Sequence, residues 1–244
     1  MREWIIGRNP VYEVLRSGRR YFFQLRIATG AEEMGRVQEI ISRVRKHRLP
    51  VNYVPRQQLD SFGDKHQGVA LEVSRYPYSD LSSILKVAKN KNEHPFLLIL
   101  DLIQDPQNFG TLIRTAEAVG VHGVLIPPRR AVGVIPSVVH ASSGASEHML
   151  IAQVNLAQAI RTIKSADIWV IGLEGSPEAR PAGEVRLDGS LALIVGSEGE
   201  GLRSLVRKSC DMLISLPMEG KIESLNAAVA GSVVLYLAKQ ARLG

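Results

Sequence analysis

The chain divides by the rhythm of its apolar positions. Up to about residue 78, short apolar runs at Trp4-Ile5-Ile6, Gln24 to Ala28, Val51 to Val54 and Gly68 to Val73 have the length and β-branched content of strands. Helical segments lie between them. Asn9 as a cap with Pro10 in the first turn predicts a helix to about Arg16, stopped by Ser17-Gly18. A second helix is predicted over Glu32 to His47, with Met34, Val37, Ile40, Ile41 and Val44 on one side, and a short one near Gln57 to Phe62.

Residues 77–94 are polar and read as a linker that carries a short helix near Leu81 to Ala88. After Pro95 a second series begins. Its predicted strands are Phe96 to Leu102, Val124 to Ile126, Leu150 to Val154, Ile168 to Leu173, Leu191 to Val195 and Met212 to Leu216. Predicted helices cover Phe109 to Val119, Ile135 to Ser143, Leu156 to Ser165, Leu202 to Ser209 and about Ser224 to Ala241. Near-continuous apolar strands alternating with amphipathic helices predict a parallel sheet covered on both faces. The fold class is therefore α/β, with a small N-terminal domain over 1–76 and a parallel-sheet domain over 95–244. Ligands of such sheets sit where loops leave the carboxyl ends of strands.

Composition narrows the function classes. With 244 residues, 45% of them apolar, the chain has material for a packed core. Its longest apolar runs fall far short of the ~20 residues of a membrane span, and MREWIIGRNP lacks a signal-peptide core, so no membrane partner and a cytoplasmic location are expected. A single cysteine, Cys210, excludes an internal disulfide framework and reads as a buried helix thiol; the histidines lack metal-ligand spacing, so no metal site is expected. The formal charge of +6 lies wholly in residues 1–78, where 14 Lys and Arg face 8 Asp and Glu, against 16 and 16 in the remainder. A basic module of this kind suits a phosphate backbone, although a solvated face is an equal reading of charge alone. Arg8, Arg19, Arg20 and Arg26, with Lys46, Arg48 and Arg56, are its candidate RNA contacts.

Three loops of the second series carry candidate chemistry. In the first, Asp101 to Ala116, Asn108 is placed to cap the helix that bears Arg114, either as a plain cap and a solvated arginine or as two groups facing one cleft. The second, Gly196-Ser197-Glu198-Gly199-Glu200-Gly201, follows a strand and allows close backbone approach by a ligand. Its glycine order is not that of a dinucleotide fingerprint, and no Walker A sequence occurs, which counts against a Rossmann-type oxidoreductase. The third runs from Ile214 to Ala230; Ser224 and Asn226 there read as caps when taken alone, and Leu225, Val229, Val233 and Leu237 as core positions of the last helix.

In this order the loops resemble the three motifs of the SpoU/TrmH family of RNA ribose 2′-O-methyltransferases in the SPOUT superfamily: N-x-G-x-x-x-R-T-A, G-x-E-G-x-G and I-x-L-P-M-x-G-x-x-x-S-L-N. Ile6 to Val11 and His66 to Ala70 resemble the two ends of the family's L30e-like substrate-binding domain, and the RlmB-type guanosine methyltransferases of large-subunit rRNA are the nearest subgroup. The resemblance implies S-adenosylmethionine as cofactor, RNA as partner with ribosomal RNA ahead of transfer RNA, a deep trefoil knot and a homodimer. It implies cofactor contacts at Leu173, Gly196, Leu216 and Leu225, and catalytic roles for Asn108, Arg114, Glu198, Ser224 and Asn226. A non-catalytic RNA-binding protein is the rival expectation, opposed by the presence of all five polar residues.

Overall fold

The computed structural model describes residues 1–222 and 224–244, which form two compact units. The first comprises Met1–Pro77 together with Val134–His148, and the second Tyr78–Gly133 with Met149–Gly244.

In the first unit, strands β1 (Arg2–Ile6), β2 (Phe22–Ala28), β3 (Val51–Val54) and β4 (Val69–Ser74) form a mixed sheet in the order β1-β4-β2-β3. Helices α1 (Arg8–Ser17), α2 (Arg36–Lys46) and α3 (Arg56–Asp60) connect them. Alternation along the strands buries Ile5, Leu25, Ile27 and Leu71 completely, joined by Val11 and Val14 of α1 and Val37, Ile40 and Val44 of α2. Two expectations shift here. Gly7, not Asn9, caps α1, which ends as predicted on left-handed Gly18. Gly35 begins α2 four residues later than expected, so Met34 lies outside the helix and is exposed.

The second unit opens with α4 (Leu81–Lys91), capped by the Asp80 side chain, with Ile84 and Ala88 buried. Strand β5 (Phe96–Leu100) is buried along its whole length, and α5 (Pro106–Val119) and β6 (Gly123–Ile126) follow. The segment belonging to the first unit then carries α6 (Pro136–Ala141) and a 3-10 turn at Ala145–His148, which pack on β1 and α1 respectively. The chain returns through β7 (Ile151–Gln153), α7 (Leu156–Lys164), β8 (Trp169–Leu173) and β9 (Arg180–Pro181), a two-residue strand that the apolar pattern does not announce. It ends with β10 (Leu191–Val195), α8 (Ser204–Ser209), β11 (Met212–Ser215) and α9 (Ala227–Ala241).

The described residues of this unit build an all-parallel sheet in the order β7-β6-β5-β10-β8-β11-β9. Fully buried Leu97, Ile99, Leu125, Ala192 and Ile194 pack with Ile160 and Ile163 of α7 on one face. Helix α9 packs on α5 and β10 through Ala228, Gly231, Val234, Leu235 and Ala238. The approach is close: a Cβ on Gly231 would stand 2.6 Å from Leu112. The stripe expected to be core is offset by one residue, because Leu225, Val229 and Val233 are 41–49% exposed, and Tyr236 beside them is 54% exposed. No described helix is long and apolar enough to cross a membrane.

Candidate active site

Neighbouring strands β10, β8 and β11 end side by side, and beyond their carboxyl ends lies a cavity of ≈ 740 Å³. Leu173, Gly196, Leu216 and Leu225, the four positions expected to contact a cofactor, all line it, as do Glu198, Ser224 and Asn226. Residues separated by more than fifty positions therefore meet in one place, as the strand-end rule for open α/β sheets requires.

Each loop has a local reason for its shape. After β10 the chain turns back on itself, with Ser197 N donating to Gly201 O at 3.2 Å and Gly201 N donating to Ser197 O at 3.1 Å. A Cβ at Gly196 would lie 2.4 Å from the Gly201 carbonyl, so no larger residue permits this closure. At Gly201 φ is +64°, the left-handed region that glycine enters without strain.

The first loop differs from expectation in a way that creates the polar site. Asp105, with Pro106 following it at the first helical position, caps α5 by accepting from Asn108 N at 3.0 Å. Asn108 is thereby inside the helix, and its side chain faces the other two loops. Its Nδ2 donates to Glu198 Oε1 at 3.0 Å, and Asn226 Nδ2 donates to Asn108 Oδ1 at 3.0 Å and also to Glu198 Oε1. Asn226 does cap α9, its Oδ1 accepting from Ala228 N and Val229 N at 2.9 and 3.1 Å. One asparagine thus serves both as helix cap and as the corner of a closed Asn108–Glu198–Asn226 ring.

Arg114 sits further along α5, exposed, and is not among the residues lining the cavity. Residues that the sequence did not single out complete the wall: Glu174, Ser197, Glu200, Ser215 and Met218 among them. Glu174 directly follows β8, so the strand-end rule was the signal that could have found it. Arg207 Nε donates to Glu174 Oε1 at 2.9 Å, and the same guanidinium reaches Glu178 at 2.6 Å. The hydrogen bonds to Glu178 and then Glu174 raise the pKa of Arg207 above the usual arginine value, keeping it charged. The described lining contains Glu174, Glu198 and Glu200 and neither Lys nor Arg, a wall suited to a cationic ligand.

Cys210, expected as a buried helix thiol, stands just after α8 as its cap and is half-buried. Burial first, and then the charge of Asp211, push its thiol up to about 12. Iodoacetamide at pH 8 should therefore alkylate it far more slowly than free cysteine; a free-thiol rate measured by mass spectrometry would contradict this. Among the described residues, no three or more His, Cys, Asp and Glu side chains gather as a metal site.

The candidate RNA contacts separate into two kinds. Arg20 is buried, its guanidinium paired with Glu147 at 2.6 Å and with Glu3, and is not available to a surface phosphate. Arg19 is half-buried and donates to Tyr76 and to the Glu147 and Pro77 carbonyls. Arg8 and Arg26 are likewise half-buried: Arg8 bonds Gln67, and Arg26 lies 4.6 Å over the Trp4 ring, which stacks on Phe62 at 4.7 Å.

Comparison with known proteins agrees over both units. The model of the SpoU rRNA Methylase family matches residues 95–236, and that of the RNA 2′-O ribose methyltransferase substrate-binding domain matches residues 4–79. The TrmH family protein YacO of Bacillus subtilis (strain 168) is 44% identical over 239 residues, which is 96% of this chain and 94% of that protein. The structure of the SpoU methyltransferase AviRb from Streptomyces viridochromogenes, solved with AdoMet, shares the fold with a TM-score of 0.84 at 24% identity, over 99% of this chain and 90% of that one. An AdoMet-bound rRNA methyltransferase from Sinorhizobium meliloti does so with a TM-score of 0.79 at 22% identity, over 98% and 87%. The chain belongs to the SpoU family of RNA methyltransferases.

Proposed function

We propose that this protein is a cytoplasmic enzyme that transfers the methyl group of S-adenosylmethionine to a ribose 2′-hydroxyl of RNA, foremost a guanosine of large-subunit rRNA. The observation that carries the proposal is the meeting of the second and third loop motifs at one acidic cavity, within the ~300–1,000 Å³ range of small-molecule sites, with Asn108 of the first motif bonded to Glu198 and Asn226 of its wall. Bound there, the cofactor supplies an electrophilic methyl group on a sulfonium.

The protein's share is positioning and charge. Leu173, Gly196, Leu216 and Leu225 line the cavity and would hold the cofactor, the two leucines at its adenine, while Glu174, Glu198 and Glu200 would favour its positive charge. Asn108, Glu198 and Asn226 hold one another, and with Ser224 they present donors and acceptors toward the ribose and its phosphate. Arg114 acts on the ribose oxygen from the α5 surface. Its guanidinium aligns the 2′-oxygen and stabilises the negative charge that develops there as the oxygen takes the methyl group from sulfur and releases its proton to water.

Comparison of 2′-O-methyl sites in the RNA of cells with and without this protein tests the proposal. A single large-subunit guanosine losing its mark is the expected result. A tRNA position losing it instead would establish the alternative substrate, and an unchanged map would remove the activity.

The N-terminal unit, as an L30e-like module, supplies the RNA grip, resting on its basic charge. Arg8→Glu with Arg26→Glu should weaken RNA binding and flatten its salt dependence while leaving cofactor binding intact. An unaltered salt slope would refute this division of labour. The trefoil knot is supported by α9 returning to α5 and β10 from β11, which lies on the far side of β8. An experimental structure in which residues 224–244 pass outside the 196–203 loop would exclude it.

The exposed apolar stripe of α9 supports a homodimer. Val229, Val233 and Tyr236 would each gain up to roughly 1.5–3 kcal/mol by burial against a second copy. Val233→Asp should therefore yield monomers by sedimentation velocity, and wild-type protein that sediments as a monomer at micromolar concentration would rule the stripe out as an interface.

A further inference from the structure

We propose that Asp101 is the positioning residue that holds the 196–202 loop in its working shape, and that methyl-donor affinity depends on its contact with Arg203. The proposal rests on the reading of the cavity as the donor site.

Asp101 is the first residue after β5 and is completely buried. A carboxylate in such a place needs partners that replace its water. Among the described residues, the partners of its side chain all belong to Arg203. Arg203 donates its backbone N to Asp101 Oδ2 at 2.9 Å and its Nε to Oδ1 at 2.7 Å, while Nη2 stands 2.7 Å from the same Oδ1. Asp101 also donates its own backbone N to Val195 O at 2.8 Å. Val195 is the last residue before the loop and Arg203 the first after it, where it caps α8. One aspartate therefore ties together both ends of the turn whose residues Gly196 to Gly201 line the cavity and whose tip carries Glu198.

Two features separate this arrangement from an ordinary stabilising ion pair. Buried pairs are weak evidence for stability, since desolvation offsets most of their attraction, whereas a carboxylate held at both oxygens by one residue, Oδ2 by its backbone N and Oδ1 by its guanidinium, fixes geometry. In addition, Leu102 directly after Asp101 has φ of +61°, a conformation that costs a leucine energy and persists only where the surroundings dictate it. The turn is thus closed before any ligand arrives. Loosening it would oblige the donor to order the loop on binding, and affinity would fall by that amount.

The test is calorimetric titration of the full-length protein with S-adenosylmethionine. Asp101→Asn, which keeps the shape and removes the charge, should raise the dissociation constant about tenfold or more, with RNA affinity unchanged and the donor KM rising more than kcat falls. Arg203→Lys keeps the backbone donor and the charge but loses the fork, and should raise it about threefold. This second change is made on a side chain that is 40% exposed, so it carries the test if Asp101→Asn does not fold. A purely structural role predicts a lower melting temperature with donor affinity of the folded variants unchanged, and that result overturns the proposal. Wild-type protein that fails to bind the donor would instead overturn the underlying assignment of the cavity.

Discussion

Glu147→Ala is expected to destabilise the first unit by roughly 3–5 kcal/mol, the range found when one partner of a buried ion pair is removed. Glu147 and Arg20 both have fully buried side chains, linked by two hydrogen bonds at 2.8 and 2.6 Å. Burial works against the charge of Arg20, but the hydrogen bonds and charges of Glu147 and then Glu3 outweigh it and raise its pKa, so losing Glu147 removes the main partner of a buried guanidinium. Glu3 remains beside it, but its side chain is only partly buried and it satisfies one end of the guanidinium. The segment 134–148 depends on this link, together with His148, whose Nε2 donates to Glu13 Oε2 at 2.8 Å and lies 3.3 Å from Arg16 Nη2. Urea denaturation followed by far-ultraviolet circular dichroism should show the lowered midpoint, with proteolysis appearing first within 134–148. Arg20→Met combined with Glu147→Leu should recover most of the loss, because replacing both charges removes the orphan. A Glu147→Ala protein within 1 kcal/mol of wild type, roughly the effect of an ordinary surface change, would sink this account.

The sequence made the strands and the loop chemistry legible for a physical reason: buried parallel strands must be apolar throughout, and the turns at their ends must be polar or glycine-rich. What it could not resolve were choices between equally apolar or equally charged alternatives. Helix α9 is apolar on nearly every side, so helical spacing fits Val229 and Val233 as well as Val234 and Ala238, and only the close approach of Gly231 to α5 selects the second set. Counting charges treats Arg20 and Arg26 alike, although one is sealed inside an ion pair and the other lies against an aromatic ring. Chain order places 134–148 within the second series, yet a covalent neighbour need not share a core, and Glu147 has its partner in the first unit. The cap of α5 was open to a sharper reading. Asp105-Pro106 is a stronger start signal than Asn108, because proline at the first helical position loses no hydrogen bond there. Recognising it frees the Asn108 amide, and the ring with Glu198 and Asn226 follows from that freedom.

Arg114→Lys is expected to lower turnover about 10²–10³-fold, the usual consequence of losing a group that stabilises charge developing on a reacting oxygen. Six residues along α5 separate Arg114 from Asn108, a rise of about 9 Å and a rotation of roughly 240° about the helix axis. Arg114 therefore lies on another side of α5 from Asn108, which bonds Glu198 and Asn226 of the cavity wall, in agreement with its exposure. Under the proposed function, that position assigns the two substrates to two groups of residues. Changes at the cavity wall should alter donor affinity, whereas a change at Arg114 should leave it within about twofold and act on the step in which the ribose oxygen is engaged. Lysine preserves the charge but offers a single flexible point donor where arginine offers a planar fork able to hold a phosphate and a ribose oxygen together, so charge alone does not rescue the variant. Single-turnover methylation at saturating RNA and donor, paired with calorimetry of donor binding, separates these effects. Near-wild-type turnover by Arg114→Lys at neutral pH would refute the role assigned to the guanidinium, and a large loss of donor affinity would place Arg114 in the wall that the geometry assigns to other residues.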